Sequence, residues 1–148
     1  MTTIPLWLAN RAHATAPSQP VRSPWNGETI AHVSQAGPGE IARAIAAAHA
    51  ARAGMAALPG WRRRDVLDHL RARIQEHAEP LAEMITREGG KPIAAARIEV
   101  ARAQATLRET AAEAGRLDGD VLDLDRDEGT RGWRGFTRRV PVGVASLI

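Results

Sequence analysis

Two alanine-rich stretches, Ala42–Ala57 and Ala94–Ala114, dictate most of what this chain can become. In the first, Ile41, Ala44, Ile45, Ala48, Ala51 and Met55 recur at i, i+3, i+4 and i+7; in the second, Ile93, Ala96, Val100, Ala103, Leu107 and Ala111 do the same. Such a stripe predicts a helix that buries one face. Alanine on that face lets a neighbouring helix approach closely. Arg, Glu or His interrupts both stretches every few residues, so neither predicts a membrane span.

Proline and glycine punctuate the pattern. Gly37-Pro38-Gly39-Glu40 opens the first helix, with Pro38 suited to the first helical position and Glu40 to the positive end of the helix dipole. Pro59-Gly60 closes it. A second helix follows from Trp61, carrying Val66, Leu67, Leu70 and Ile74; it meets Pro80 and resumes with Leu81, Ala82 and Ile85 until Gly89-Gly90. This stretch predicts a kinked helix or two helices end to end. The last helix runs from Pro92 to about Leu117.

On either side of the helices the pattern changes. Residues 1–19 read as a loose lead-in, and Pro20–Ser34 as a β-hairpin whose Asn26-Gly27 supplies the positive φ angles of a tight turn. After Gly119, Val121–Leu124 and Gly135–Val140 flank an acidic, glycine-containing turn and predict a second hairpin. Val142–Ile148 is nearly all apolar and predicts a buried parallel strand. Such a strand leads into a crossover helix, so the 148 residues read as a fragment of a larger chain.

The chemistry visible in these residues is sparse. Without cysteine there is no disulfide, no thiolate metal site and no thiol nucleophile. Met1–Asn10 lacks the basic lead and apolar length of a signal peptide, and a cytoplasmic protein is expected. Net charge is only +3, with Lys91 the single lysine among twenty basic residues. The arginine groups at Arg62–Arg64 and Arg131–Arg139 sit beside acids and predict solvated faces, not a nucleic-acid surface.

The motif tests mostly fail. Gly37–Ala42 fits G-x-G-x-x-A, but the expected acid-ended strand about twenty residues later is replaced by Trp61-Arg62. Asp123–Asp127 begins like a calcium loop, yet glycine falls at the seventh position and Arg134 at the twelfth. The five histidines lack metal-ligand spacing, and Gly89-Gly90-Lys91-Pro92 lacks the Ser/Thr of a P-loop. The reading is therefore no metal site and no catalytic residue within the chain.

Five segments in order carry a family resemblance. Arg87-Glu88-Gly89-Gly90-Lys91-Pro92, Ala96–Val100 and Thr137–Val144 resemble the NAD(P)-dependent aldehyde dehydrogenase family, as do Ser23–Glu28 with its hairpin and Trp61–Leu70. Gly89 departs from the threonine common in that family. The resemblance covers about residues 20–148. It implies an α/β fold: the N-terminal helical and hairpin part of an NAD(P)-binding domain over 20–119, an oligomerisation hairpin over 120–141, and a strand returning to the nucleotide-binding sheet over 142–148.

It also implies a function for the complete protein. An aldehyde is oxidised to a carboxylic acid with NAD or NADP, through a cysteine thiohemiacetal and thioester, in a homodimer or homotetramer. The catalytic cysteine and glutamate lie beyond Ile148. Within the chain the resemblance marks Ile148 as beside the cofactor and Arg102 as facing the substrate entrance, where a guanidinium meets an anionic aldehyde. The plainer alternatives are a core strand residue for Ile148 and, for Arg102, a helix ion pair with Glu99 or Glu109. The alternative for the whole chain is a truncated, non-catalytic subunit-interaction module.

Overall fold

The computed structural model describes residues 3–147. Seven short strands and four helices are arranged in chain order: β1 (Thr3–Ile4), β2 (Leu6–Leu8), β3 (Arg11–His13), β4 (Ser18–Arg22), β5 (Thr29–Ser34), α1 (Pro38–Ala57), α2 (Gly60–Glu76), α3 (Ala78–Gly89), α4 (Ile93–Ala114), β6 (Val121–Asp123) and β7 (Arg134–Phe136). One three-stranded sheet has the order β1-β5-β4; β2–β3 and β6–β7 are separate antiparallel pairs.

The lead-in is more ordered than expected. β1 pairs in parallel with β5, and β2 turns back onto β3 through Ala9 and Asn10, both in the left-handed region. Two central residues with positive φ are the signature of a type I′ turn, whose twist matches that of the flanking strands. The predicted hairpin forms from β4 and β5, but not through a two-residue Asn-Gly turn. Its loop runs from Ser23 to Glu28, only Gly27 has positive φ, and the Asn26 side chain accepts the Glu28 amide at 3.1 Å.

The helix breaks obey local chemistry. Glu40 reaches back to accept the Gly37 amide at 3.0 Å, closing the α1 N-terminus. The break between α2 and α3 falls at His77, not at Pro80, which sits in the first turn of α3 where its missing N–H is not needed. Gly90, at φ +66°, closes α3 in the left-handed conformation.

Arg63 is the cap that α1 lacks. The last turn of α1 has no basic residue, and the Arg63 guanidinium from α2 donates to the carbonyls of Met55 at 2.6 Å and Leu58 at 3.1 Å. Arg63→Met is expected to cost about 1–2 kcal/mol, because charge-assisted bonds to orphan carbonyls are lost at a half-exposed site. Thermal unfolding followed by circular dichroism measures that loss.

The packed part of the molecule lies where α4 runs along α2 and α3. Ala82, Ala96 and Val100 are buried there, with Ile74, Ala78, Ile85 and Ile93 against them. The buried stripe of α4 is Ala96, Val100 and Ala111, with Leu107 half-buried; Ala103, expected on it, faces outward. α1 differs more. It has no buried residue, and Ile41 and Ile45 are each more than half exposed, because among the described residues its apolar face is flanked just by β2, Ala36 and residues 144–146.

The second hairpin forms as β6 with β7, a shorter return arm than Gly135–Val140. Its tip is tied by acids: Asp127 accepts the Thr130 amide at 3.0 Å, and Asp123 accepts the Asp125 amide at 3.3 Å. Of the strand expected over 142–148, the described residues 142–147 form none. No described strand lies alongside to complete a ladder, and Val142 and Leu147 are almost fully exposed.

Candidate functional site

The position singled out for substrate contact lies on the side of α4 away from its packed stripe. Ala96 and Val100 fix which face turns inward, and the helical repeat then places Ile98, Arg102 and Thr106 in one outward row. Ile98 is 61% exposed, so an apolar side chain lies one turn before the guanidinium.

The neighbouring charges are already engaged. Lys91 donates its ammonium to Glu99, across the turn that precedes α4. Arg97 grips Glu79 of α3 with its Nε 3.0 Å and 3.2 Å from the two carboxylate oxygens, a forked pair that locks α3 to α4. Arg108 binds Glu109 at 2.9 Å. Both candidate partners of Arg102 are thus held by other cations, and among the described residues Arg102 has neither an ion pair nor a side-chain hydrogen bond.

Acidity follows the same arrangement. The hydrogen bond from Lys91, then its charge, and more weakly the charge of Arg102, hold the Glu99 carboxyl below the usual carboxylate range. The Glu79 carboxyl is lowered in the same way by its bond from Arg97. Both carboxyls and their partners are solvent-exposed, so these pairs fix local geometry more than they stabilise the fold.

Two open concavities lie among the described residues, and neither includes Arg102. One, about 780 Å³, lies between the α1–α2 junction and the end of α4 and is lined by Arg63, Asp118, Arg138 and Arg139 among others. The other, about 450 Å³, is the apolar groove formed by α1, β2 and Val144–Ser146. Ile148 lies outside the described residues. In the arginine–tryptophan group near residue 61, the Arg62 guanidinium sits 4.9 Å over the Trp61 ring and Arg63 is committed to the α1 carbonyls.

A dinucleotide does not fit the glycine turn that opens α1. The Gly37–Ala42 turn is the one stretch with a suitable glycine pattern, but the Gly37 amide is donated to Glu40, whose carboxylate stands where a pyrophosphate would have to sit. Repulsion between the two anions excludes that position.

The role of Lys91 escapes a local reading. It lies eight residues before Glu99 and on the far side of Pro92, outside any helical register, whereas Glu99 and Arg102 have the i, i+3 spacing of a pair.

Comparison with known proteins places this arrangement. The profile of the aldehyde dehydrogenase family matches residues 11–148. The aspartate-semialdehyde dehydrogenase 1 of Pseudomonas canavaninivorans is 30% identical over 86% of this chain and 27% of its own length. The mitochondrial succinate-semialdehyde dehydrogenase of Oryza sativa subsp. japonica is 36% identical, with 86% of this chain and 24% of that protein covered. Among solved structures, aldehyde dehydrogenase 21 of Physcomitrella patens, in complex with the reaction product succinate, superimposes with a TM-score of 0.87 at 32% identity, covering 91% of this chain and 28% of that one. The chain spans less than a third of the length of these relatives. No described helix is long and apolar enough to cross a membrane. With the family profile matching residues 11–148 and the fold superimposing over 91% of the chain, the chain belongs to the aldehyde dehydrogenase family and corresponds to an N-terminal α/β portion of it.

Proposed function

We propose that these residues form the N-terminal part of an enzyme that oxidises an aldehyde to a carboxylic acid with NAD or NADP, its nucleophilic cysteine lying beyond Ile148. The family match over residues 11–148 carries this reading. The part played by the described residues is positional: α2, α3 and α4 form a rigid layer that holds the outer face of α4 in a fixed orientation. The test is the whole protein produced from its gene, supplied with an aldehyde and either dinucleotide, and followed by formation of reduced nicotinamide. No reduction with any aldehyde would leave the truncated, non-catalytic module as the function.

We further propose that Arg102 selects aldehydes bearing an anionic group. Its guanidinium is unpaired beside exposed Ile98, a combination suited to a short hydrocarbon chain ending in a carboxylate. Both dehydrogenases named above act on carboxylate-bearing semialdehydes, and the matched structure holds succinate. Arg102→Ala is expected to lower kcat/KM for succinate semialdehyde by roughly tenfold, as loss of one charge-assisted contact, while leaving a neutral aldehyde of similar length unchanged. Equal losses on both aldehydes would end this assignment.

The β6–β7 ribbon is proposed as a subunit contact in a homodimer or homotetramer. Val121 and Phe136, paired across the ribbon, are each 81% exposed, and Trp133 is exposed near the tip.

A further inference from the structure

We infer that Lys91 is a positioning residue: by holding Glu99, it keeps the Arg102 guanidinium open to an anionic substrate. The inference rests on the proposed role of Arg102 and adds the device that keeps that role possible.

The argument begins with spacing. On α4, the positions three and four residues from Arg102 are Ile98, Glu99, Ala105 and Thr106, so Glu99 is the one acid its own helix offers it. Glu99 precedes Arg102, the favourable order for an acid–base pair along a helix. Left alone, the two would pair. A guanidinium gripped by a carboxylate has spent the forked donors it needs for a second carboxylate.

The structure shows the competing contact. Lys91, between the Gly90 turn and Pro92, reaches across the first turns of α4 to take Glu99. Arg102 is left without a partner among the described residues, and Glu109, the other nearby acid on α4, is occupied by Arg108. One ammonium in the preceding turn thereby sets the charge state that the outer face of α4 presents.

Three variants of the whole enzyme test this. Lys91→Ala is expected to raise KM for succinate semialdehyde about two- to fivefold, the range of an exposed pair, with kcat and the KM for a neutral aldehyde unchanged. Adding Glu99→Gln to Lys91→Ala is expected to restore the KM, because no carboxylate remains to capture Arg102; Lys91→Arg is expected to keep it. A loss shared by both aldehydes, or no rescue by Glu99→Gln, would overturn the inference.

A titration of the Glu99 carboxyl by nuclear magnetic resonance decides the exchange without turnover. In Lys91→Ala the carboxyl is expected to stay below the usual carboxylate range because Arg102 replaces the ammonium, and to return to that range only when Arg102→Ala is added. Return in Lys91→Ala alone would show that Glu99 does not seek Arg102, and the inference would fall. A null result with Arg102→Ala in the kinetics would instead remove the substrate-selecting role of Arg102, with the titration unaffected.

Discussion

Replacing Gly119 by alanine is expected to open the base of the β6–β7 ribbon. A Cβ at this position would stand 1.7 Å from the Thr137 carbonyl oxygen and 2.5 Å from its carbon. Both atoms are backbone, so no rotamer change relieves the collision, and the two chains must part. The neighbouring contacts depend on their closeness: the Thr137 amide donates to the Asp120 carbonyl at 2.8 Å, and the Asp120 amide to the Thr137 hydroxyl at 2.8 Å. The local cost should reach about 3 kcal/mol, the upper part of the overpacking range. A two-stranded ribbon has little cooperativity to absorb it. Amide hydrogen exchange across Val121–Asp123 and Arg134–Phe136 should accelerate by roughly a hundredfold, the kinetic equivalent of that energy. Gly129→Ala is the control, since its Cβ would meet only the end of the Asp127 side chain at 3.4 Å. Equal exchange in both variants would contradict the geometry. If the ribbon joins subunits as proposed, Gly119→Ala should also shift the assembly toward monomer in sedimentation.

Ala96→Leu is expected to force α3 and α4 apart. Ala96 and Ala82 are both fully excluded from solvent in the contact between these helices, with Val100 beside them. Three added carbons have no space there, and the separation they demand strains the Arg97–Glu79 fork that bridges the same helices. A loss of about 2–3 kcal/mol follows from overpacking at a site closed on all sides. Ala103→Leu, on the exposed side of the same helix, should change stability by less than about 0.5 kcal/mol. Thermal unfolding of the pair separates a packing effect from helix propensity, because alanine-to-leucine is the same exchange in both.

The helical layer was legible from residue spacing because its causes are local. Pro38, Pro59-Gly60 and Gly90 mark ends through the conformations they impose, and the Ala96–Val100–Ala111 stripe follows from the helical repeat. The β2–β3 hairpin was not legible: its strands have three residues each, and its turn places Ala9 at φ +49°, a conformation that alanine does not advertise. The strand expected over 142–148 is absent over its described part, 142–147, for the opposite reason. Its apolar composition was plain, but a strand exists only through a neighbour, and composition does not name one. At the candidate site the residue types were visible and the pairing was not. Glu99 and Arg102 share a helical register, and the contact that separates them comes from Lys91 in another segment.

The alanine core has a thermodynamic consequence. Among the described residues, the largest side chain that is fully buried is Ser34, and the buried apolar residues are Ala31, Ala82, Ala96, Val100 and Ala111. Unfolding this portion therefore transfers little new hydrocarbon to water. Heat-capacity increment and denaturant sensitivity both scale with that transfer. Taken as an isolated chain, these 148 residues should accordingly have a flat stability curve, with a broad melting transition and only weak curvature with temperature.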